Sequence, residues 1–307
     1  MSLLTGLKNI IEYMLRETEF DIKKFFLSLT DHWKDILSAI LIFGVGGAIY
    51  SLSLPDIYKS DGLYKLNNSN MNTGGMSGLA GFASFAGINL NNTSSIDYVI
   101  EVIESYSFFE MINSKHDLKP SLMASDYYDK GKNRLIFDDS LYNSTTNMWA
   151  DGISVPSDQD AYEEYIANLN ANVSLRGGFL ELSFEHVSPV FAKEMIAIIV
   201  SDLNTVEREK DRDRYEKSID YLINQISQSQ FTEVRSTLGE VLQGYYEKLL
   251  LLNTEPNYLI TPIDNPLVPE RKHRPSRTLI VLLLCLMGGL LVSTRIIYIQ
   301  LSNYNKE

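Results

Sequence analysis

The stretch GGMSGLAGFASFAGI, residues 74–88, has the glycine content of a phosphate-binding loop. A Walker A loop ends in Gly-Lys-Ser/Thr, because backbone amides and the lysine together bind the phosphate groups. No lysine occurs between Lys65 and Lys115, so this motif is absent. The glycines are also wrongly spaced for a dinucleotide-binding fingerprint. The stretch therefore predicts no nucleotide cofactor.

Histidines and acidic residues could support metal or acid–base chemistry. None of the four histidines, His32, His116, His186 and His273, lies three or four residues from another His or Cys, as metal-ligand pairs commonly do. The 39 acidic residues could hide a carboxylate pair for glycosyl chemistry, but nothing singles out such a pair. We therefore predict no catalytic residue, metal or cofactor, and we expect a protein that is not an enzyme.

A segment of alternating charge, EREKDRDRYEK at residues 207–217, lies inside the longest helical pattern of the chain. Opposite charges three or four residues apart support a helix. They occur at Glu209 and Arg212, Asp211 and Arg214, and Asp213 and Lys217. The segment has no apolar stripe, so we expect it to project into water or to pack against a charged copy of itself.

Two uncharged apolar stretches predict membrane spans, one near each end of the chain. Residues 36–54 and 278–294 carry no charge, and their helices would be about 28 Å and 26 Å long. The second lengthens to residues 278–299 if Arg277 and Arg295 snorkel to the interfaces. Two buried core helices are the alternative. A secretory signal peptide does not fit, because 35 residues with six acids precede the first stretch.

Glycines interrupt both predicted spans, at Gly44, Gly46 and Gly47 and at Gly288 and Gly289. Small residues let helices approach closely in lipid, where packing drives association. The alternative is that glycine is simply common in membrane helices.

Two spans place both termini on one side of the membrane and residues 55–277 on the other. Residues 56–277 hold 20 Lys and Arg against 32 Asp and Glu, so the whole net charge of −12 lies there. This charge argues against a nucleic-acid partner. Lysines before the first span favour cytoplasmic tails, residues 1–35 and 300–307.

The region between the spans alternates strand and helix patterns. The segment after Pro55, IYKSDGLYKL, predicts a strand, and apolar spacing after Ser94 predicts a helix. VSLRGGFLELSFE predicts a hairpin with Gly177 and Gly178 as its two-residue turn. Short elements near residues 134–137 and 160–169 are expected to be strand-like and helical.

Long helices follow, over about residues 189–253. Ser188 and Pro189 supply an N-cap and a first-turn proline for a helix to residue 226. A second apolar stripe from Phe231 to Leu252 predicts a second helix. Five of the nine prolines then fall in residues 256–275. We predict a returning edge strand from Asn257 to Thr261 and an extended approach to the second span from Pro262 onward.

The order of these segments resembles the Wzz-type polysaccharide co-polymerases, the chain-length determinants of bacterial surface polysaccharides. No single segment is specific for this family, but their order and placement together are. The segments that carry the resemblance are IYKSDGLYKL, GLAGFASFAGI, LELSFEHVSPVFAKEMIAIIVSDLN, SIDYLINQI, EVRSTLGEVLQGYYEKLLLLN and NPLVPERKHRPSRTLIVLLLCLMGGLL.

The resemblance implies an α+β membrane protein of the bacterial inner membrane. Its two transmembrane helices would flank a periplasmic α/β base domain with a long projecting helical arm, and copies would form a homo-oligomeric ring. Pro266, Pro269 and Pro275 match the proline-rich approach that the family associates with its function. The chain ends soon after Arg295 without a Walker kinase domain, so it resembles the kinase-less branch.

We therefore expect a regulator of the number of repeat units in lipopolysaccharide O-antigen biosynthesis. Its expected partners are further copies of itself, the membrane polymerase, the lipid-linked glycan and the membrane. Glu209, Arg212, Asp213 and Lys217 are the predicted contacts between adjacent long helices, and Gly288 and Gly289 are predicted to contact the other span or the polymerase.

Two rival interpretations share the two-span architecture. A component of a capsule or exopolysaccharide export complex fits the same features. A two-span receptor is disfavoured, because about a dozen residues follow the second span and no signalling module precedes the first.

The glycine-rich stretch is too short to be a third span, since fifteen residues make a helix of only about 23 Å. We expect it to be an apolar loop beside the base domain, where Gly81 and Phe85 would contact the glycan or the polymerase.

Overall fold

The computed structural model describes residues 32–67, 94–174, 177–254 and 257–304. The chain divides into two compact units, one formed by Met1–Leu54 with Pro275–Glu307 and one by Pro55–Arg274. The predicted mixture of helices and strands, with an apolar helix towards each end, is confirmed.

The elements follow one another in this order: α1 (Trp33–Ser53), β1 (Tyr58–Leu66), α2 (Ser94–Glu104), α3 (Tyr106–His116), α4 (Lys119–Met123), β2 (Ser125–Asp129), β3 (Arg134–Phe137), β4 (Tyr142–Asn143), β5 (Met148–Trp149), α5 (Asp158–Asn168), β6 (Leu169–Val173), β7 (Phe179–His186), α6 (Pro189–Gln228), α7 (Thr232–Thr254), β8 (Ile260–Asp264) and α8 (Arg277–Tyr304).

Helices α1 and α8 form the first unit, and each is long enough to cross a membrane. α1 has 21 residues, and the apolar part of α8, Arg277–Ile296, has 20; each corresponds to about 30 Å. Large apolar side chains face outward, with Leu41 63%, Ile49 66% and Leu290 65% exposed. Both helices are apolar on all sides and are little covered by protein. Such helices fit a lipid environment better than the core of a soluble protein.

The second unit is built on a four-stranded antiparallel sheet with the order β6-β7-β1-β8. β1 is the predicted strand after Pro55, and it pairs with β7 from Tyr58↔His186 to Lys65↔Phe179. Leu180, Leu182 and Phe184 of β7 are fully buried. The predicted apolar face of this strand is therefore confirmed, although Ser183 on the other face is also buried.

The hairpin of β6 and β7 is confirmed, but its turn is longer than predicted. The amide of Ser174 donates to the carbonyl of Phe179, so four residues rather than two connect the paired positions. Gly177 and Gly178 both adopt positive φ, 71° and 80°, which glycine tolerates without strain. The glycines thus mark the turn correctly, while the loop length depends on the register of the whole ladder.

The core lies between the sheet and the helices α2, α3, α5 and α6. The Ser188 side chain caps α6 by accepting from the amide of Phe191 at 3.2 Å, as its sequence position predicts. One stripe of α6, including Met195, Ile199 and Leu203, is fully buried in this core. The first half of α6 is therefore fixed to the base by apolar burial.

Helix α7 packs along α6, which it reaches through a turn of three residues. α6 has 40 residues, about 60 Å of helix. The predicted apolar stripe is helical from Val234 onward but is only partly covered: Leu252 is buried, and Leu238, Val241, Tyr245 and Leu249 are half-buried. At its start, Phe231 is 74% and Val234 45% exposed. A single α6 is too narrow to cover the whole stripe.

β8 is the predicted returning edge strand, but it runs over Ile260–Asp264 rather than residues 257–261 and so includes Pro262. The register shifts where Tyr64 pairs with Pro262 and Leu63 with Asp264. A proline cannot donate to a ladder, so it is tolerated at an edge and beside an irregularity.

Candidate functional site: the helical hairpin, the spans and the proline-rich segment

The charged segment 207–217 lies in the middle of α6. Two of its three predicted ion pairs form: Arg212 lies 2.7 Å from Glu209, and Arg214 lies 2.6 Å from Asp211. The third prediction is wrong, because Asp213 and Lys217 form no ion pair and both are exposed to solvent. An exposed pair of this kind contributes only a few tenths of a kcal/mol, which barely offsets the loss of side-chain freedom.

Much of this segment is exposed to solvent, as expected, but part of it also contacts its own chain. Arg212 donates to the Asn253 side chain at the end of α7, at 3.1 Å. Tyr98 of α2 donates to the Glu207 carboxylate at 3.1 Å. The segment therefore has polar partners elsewhere in its own chain, which a helical pattern alone does not reveal.

A tyrosine completes this set of contacts. Tyr258 lies just before β8, is 4% exposed and donates a hydrogen bond of 2.5 Å to Asp211 Oδ2. Burial, and then the negative charge of Asp211, raise the pKa of Tyr258 well above its usual value. Tyr258 therefore keeps its proton, and it packs in a small core with Tyr215 and Leu252.

Lys210 is held in place by a relay of hydrogen bonds. Its ammonium donates to Tyr98 Oη at 2.6 Å and lies 3.3 Å from Glu207 Oε1. The hydrogen bond to Tyr98 and the charge of Glu207 raise the pKa of Lys210. Lys210 is thus a fixed, permanently charged group on the surface of α6.

An open groove of about 750 Å³ runs between α6 and α7. Asp213 and Lys217, two of the predicted contact residues, line it together with Lys210 and Arg214. Glu209 and Arg212, the other two, are not among its lining residues. Only two of the four predicted contact residues therefore lie at this groove.

The glycines of the spans lie where α1 and α8 meet. A Cβ on Gly288 would lie 2.8 Å from the Phe43 ring, and a Cβ on Gly47 would lie 2.8 Å from Leu284. A Cβ on Gly289 would lie 3.4 Å from Ile40, whereas Gly46 has no atom within 4 Å of that position. The two helices therefore approach too closely for larger side chains at Gly47 and Gly288.

The proline-rich segment before α8 is tied to the start of β1. Its backbone forms an isolated bridge just before β1, where the amide of Ile57 donates to the carbonyl of Arg274 at 2.9 Å. Lys272 forms an ion pair of 2.9 Å with Asp56, and Ser60 donates to the carbonyl of Leu267 at 2.8 Å. The prolines themselves differ in burial: Pro266 is buried, while Pro269 and Pro275 are half-buried.

Gly81 and Phe85, the predicted contacts of the glycine-rich stretch, lie outside the residues that the structure describes. Their role stays a prediction.

The sequence patterns did not predict a buried carboxylate on α6. The Asp202 side chain is 3% exposed and is bound by Lys115 Nζ at 2.5 Å and His116 Nε2 at 2.7 Å, both from the end of α3. An aspartate inside the apolar run MIAIIVSDLN was the available signal, because a buried acid needs a partner. Its partners were not predictable, since they lie 86 and 87 residues away.

Asn204 is a second missed contact, two residues further along α6. Its side-chain oxygen accepts from the amides of Leu259 and Ile260 at 2.7 and 3.0 Å, and its nitrogen donates to the Ile260 carbonyl at 3.1 Å. This buried side chain thus satisfies backbone groups where β8 begins.

The buried histidine of the base is neutral. His186 Nδ1 accepts from the amide of Ser188 at 3.0 Å, so Nε2 carries the proton that it donates to the Ser121 carbonyl at 2.9 Å. Burial lowers the pKa of His186 to about 4. Its ring therefore serves as a structural connection between β7, the start of α6 and α4.

No group of three or more metal-ligating side chains occurs within residues 32–67, 94–174, 177–254 and 257–304. His116 and His273 instead lie near carboxylates, at 2.7 Å from Asp202 and 3.5 Å from Glu185.

These features define a class of protein with a mixed α and β domain between two helices that are long and apolar enough to cross a membrane. Residues 18–116 match the model of the Wzz family, described as chain length determinant protein. The match confirms the predicted resemblance to Wzz-type co-polymerases over this part of the chain.

Two solved structures are similar to this chain at low sequence identity and low TM-score. A solved "full-length bacterial polysaccharide co-polymerase" is 14% identical, with 92% of this chain and 98% of that chain covered and a TM-score of 0.39. A "Fragment of WzzB, Polysaccharide Co-polymerase from Salmonella Typhimurium" is 12% identical, with 72% and 100% covered and a TM-score of 0.32. No curated protein matches significantly.

Proposed function

We propose that this protein regulates the number of repeat units in a bacterial surface polysaccharide, in lipopolysaccharide O-antigen biosynthesis. It would act without catalysis of its own, by contact with the membrane polymerase that extends the lipid-linked glycan. The observation that carries the proposal is the match of residues 18–116 to the chain-length determinant family.

The proposed arrangement has α1 and α8 in the inner membrane, residues 55–277 in the periplasm and both termini in the cytoplasm. The length and outward apolar surface of the two helices support it. The distribution of charged residues is weaker support for this arrangement, because long domains cross membranes largely regardless of their charge.

The protein would act as a homo-oligomeric ring. The uncovered apolar side chains of α7 support this proposal: Phe231 is 74%, Leu250 66% and Leu251 55% exposed. Apolar surface of this kind is costly in water and is commonly covered by another protein surface.

The test is the length distribution of surface polysaccharide from a strain that lacks this protein, separated by gel electrophoresis. We expect polymer to persist with a changed modal length, and a plasmid copy to restore the original mode. Loss of all polymer, with single repeat units retained on the lipid, would contradict the proposal because the protein would then be needed for polymerisation itself.

A further inference from the structure

The groove between α6 and α7 is lined by aromatic rings and by charged side chains. Tyr221, on α6, is 63% exposed at the groove, and Tyr245, on α7, also lines it. Lys210, Arg214 and Lys217 supply three positive charges, against one negative charge from Asp213. Aromatic rings beside convergent cations make a surface that can hold an amphipathic anionic ligand.

The cations of the groove differ in their own contacts. Lys210 lies beside Glu207, and Arg214 pairs with Asp211. Lys217 has no hydrogen-bond or ion-pair partner among the residues that the structure describes, although Asp213 lies one turn away on the same helix. Lys217 is therefore the cation best able to bind an anion without first breaking a contact.

The Tyr245 ring of the groove is already held in place by its neighbours. The ring of Tyr245 lies 5.9 Å from the buried ring of Tyr215, and Lys248 Nζ lies 5.8 Å from both ring centroids. Arg214 also lies over Tyr215, at 5.4 Å. Because these side chains are already ordered, a ligand would lose little of its binding energy in fixing them.

The lining cations of the groove outnumber its one lining acid, but Glu207 and Asp211 beside the groove offset the charges of Lys210 and Arg214. Charges further away than about 8 Å are largely screened at physiological salt, so Lys217 is the cation whose charge decides what binds. The groove is open along its length rather than enclosed, which suits an extended, hydrated chain better than a compact small molecule.

We propose that this groove binds a segment of acidic glycan. One C–H-rich face of a sugar ring would pack on Tyr221 or Tyr245, and a carboxylate or phosphate of the glycan would bind Lys217. This inference rests on the proposed function, because the growing polysaccharide is the extended chain that such a regulator would meet.

The binding test uses the full-length protein in lipid nanodiscs, with oligogalacturonates as the acidic probe and malto-oligosaccharides of matched length as the neutral one. We expect the acidic probe to bind more tightly, with an affinity that falls as salt is added. Lys217→Glu should weaken binding at least about tenfold, since a hydrogen bond to a charged group is worth about 1.5 kcal/mol or more. Lys217→Arg should keep most of the affinity.

Lys193→Glu is the matched control, because Lys193 is exposed on the same helix outside the groove. Equal binding of the two probes, no binding of the acidic probe, or equal effects of Lys217→Glu and Lys193→Glu would overturn the proposal. Dissociation of the oligomer by Lys217→Glu, measured by light scattering, would also overturn it, because the groove would then be a contact between copies.

The deletion strain separates the two proposals. A changed modal length in that strain, with no binding of acidic glycan to the purified protein, would reject the groove and leave the regulator intact. Binding that depends on Lys217, with an unchanged modal length in the deletion strain, would support the groove and reject the regulator.

Discussion

Tyr258 donates a hydrogen bond of 2.5 Å to Asp211 and thereby joins the chain that follows α7 to the middle of α6. Asp211 also binds Arg214 at 2.6 Å, so its carboxylate is satisfied by two donors. The Tyr258 ring packs with Tyr215 and Leu252. The charged segment of α6 is therefore anchored by an aromatic cluster of its own chain.

We predict that Tyr258→Phe lowers the free energy of unfolding by about 1–2 kcal/mol, because it removes one hydrogen bond to a charged acceptor but keeps the ring. Denaturant unfolding of the full-length protein in detergent measures this change. Tyr246→Phe is the control, since Tyr246 is 45% exposed, and it should change stability by less than about 0.5 kcal/mol. Equal effects of the two substitutions would contradict the prediction.

Asp202 connects α6 to the end of α3 and should contribute to stability. We expect Asp202→Ala to lower the free energy of unfolding by about 1–2 kcal/mol, less than for a fully buried pair, because Lys115 and His116 can still reach water. The same unfolding measurement applies. Asp220→Ala, at an exposed position of the same helix, is the control; a stability loss as large as that of Asp202→Ala would show that the buried contact is unimportant.

His186 should make the base less stable in acid. Its pKa is about 4 in the folded protein and 6.5 in the unfolded chain, so between these values only the unfolded chain takes up the proton. The free energy of unfolding should fall by up to about 3 kcal/mol as the pH drops from 6.5 to 4, with no further loss from this residue below 4.

Unfolding measured from pH 7 to pH 4 tests this dependence. His186→Gln should be less stable at pH 7 but should lose less stability on acidification than the unsubstituted protein. An unaltered slope in His186→Gln would contradict the assignment.

The contact between α1 and α8 can be tested by cross-linking in the membrane. A Cβ on Gly44 would lie 2.9 Å from Cys285 Sγ, so oxidation of Gly44→Cys should form an intrachain disulfide. Adding Gly288→Val should lower the yield severalfold, because its side chain would collide with Phe43. Gly46→Val has open space at its Cβ and should not lower it. Equal disulfide yields with Gly288→Val and with Gly46→Val would contradict the close contact between α1 and α8.

Local signals in the sequence predicted many of the elements correctly. Ser188 and Pro189 start α6 because a cap and a fixed φ act within one turn. Alternation predicted the buried face of β7, and the two glycines located the turn before it. These features depend on residues only a few positions apart.

Contacts between distant residues were not predictable. Asn204 binds backbone groups 55 and 56 residues away, and no periodicity specifies such a pairing. The spacing of Asp213 and Lys217 is right for an ion pair, yet water competes for both groups and no pair forms. The apolar stripe of α7 predicted a helix correctly, but not that Phe231 and Val234 at its start would stay exposed.

The candidate site could also be predicted only in part. The glycines of the two apolar segments indicated close contact between helices, and α1 and α8 do approach closely at Gly47 and Gly288. The groove could not be predicted, because it requires Lys217 and Tyr245 to meet across two helices.

Reconstitution of the polymerase in liposomes, with lipid-linked repeat units as substrate, tests the proposed regulation most directly. The measured quantity is the length distribution of the glycan product, with and without this protein in the same membrane. We predict a broad distribution from the polymerase alone and a defined modal length when the protein is added. Identical distributions in both membranes would contradict a role in chain-length control.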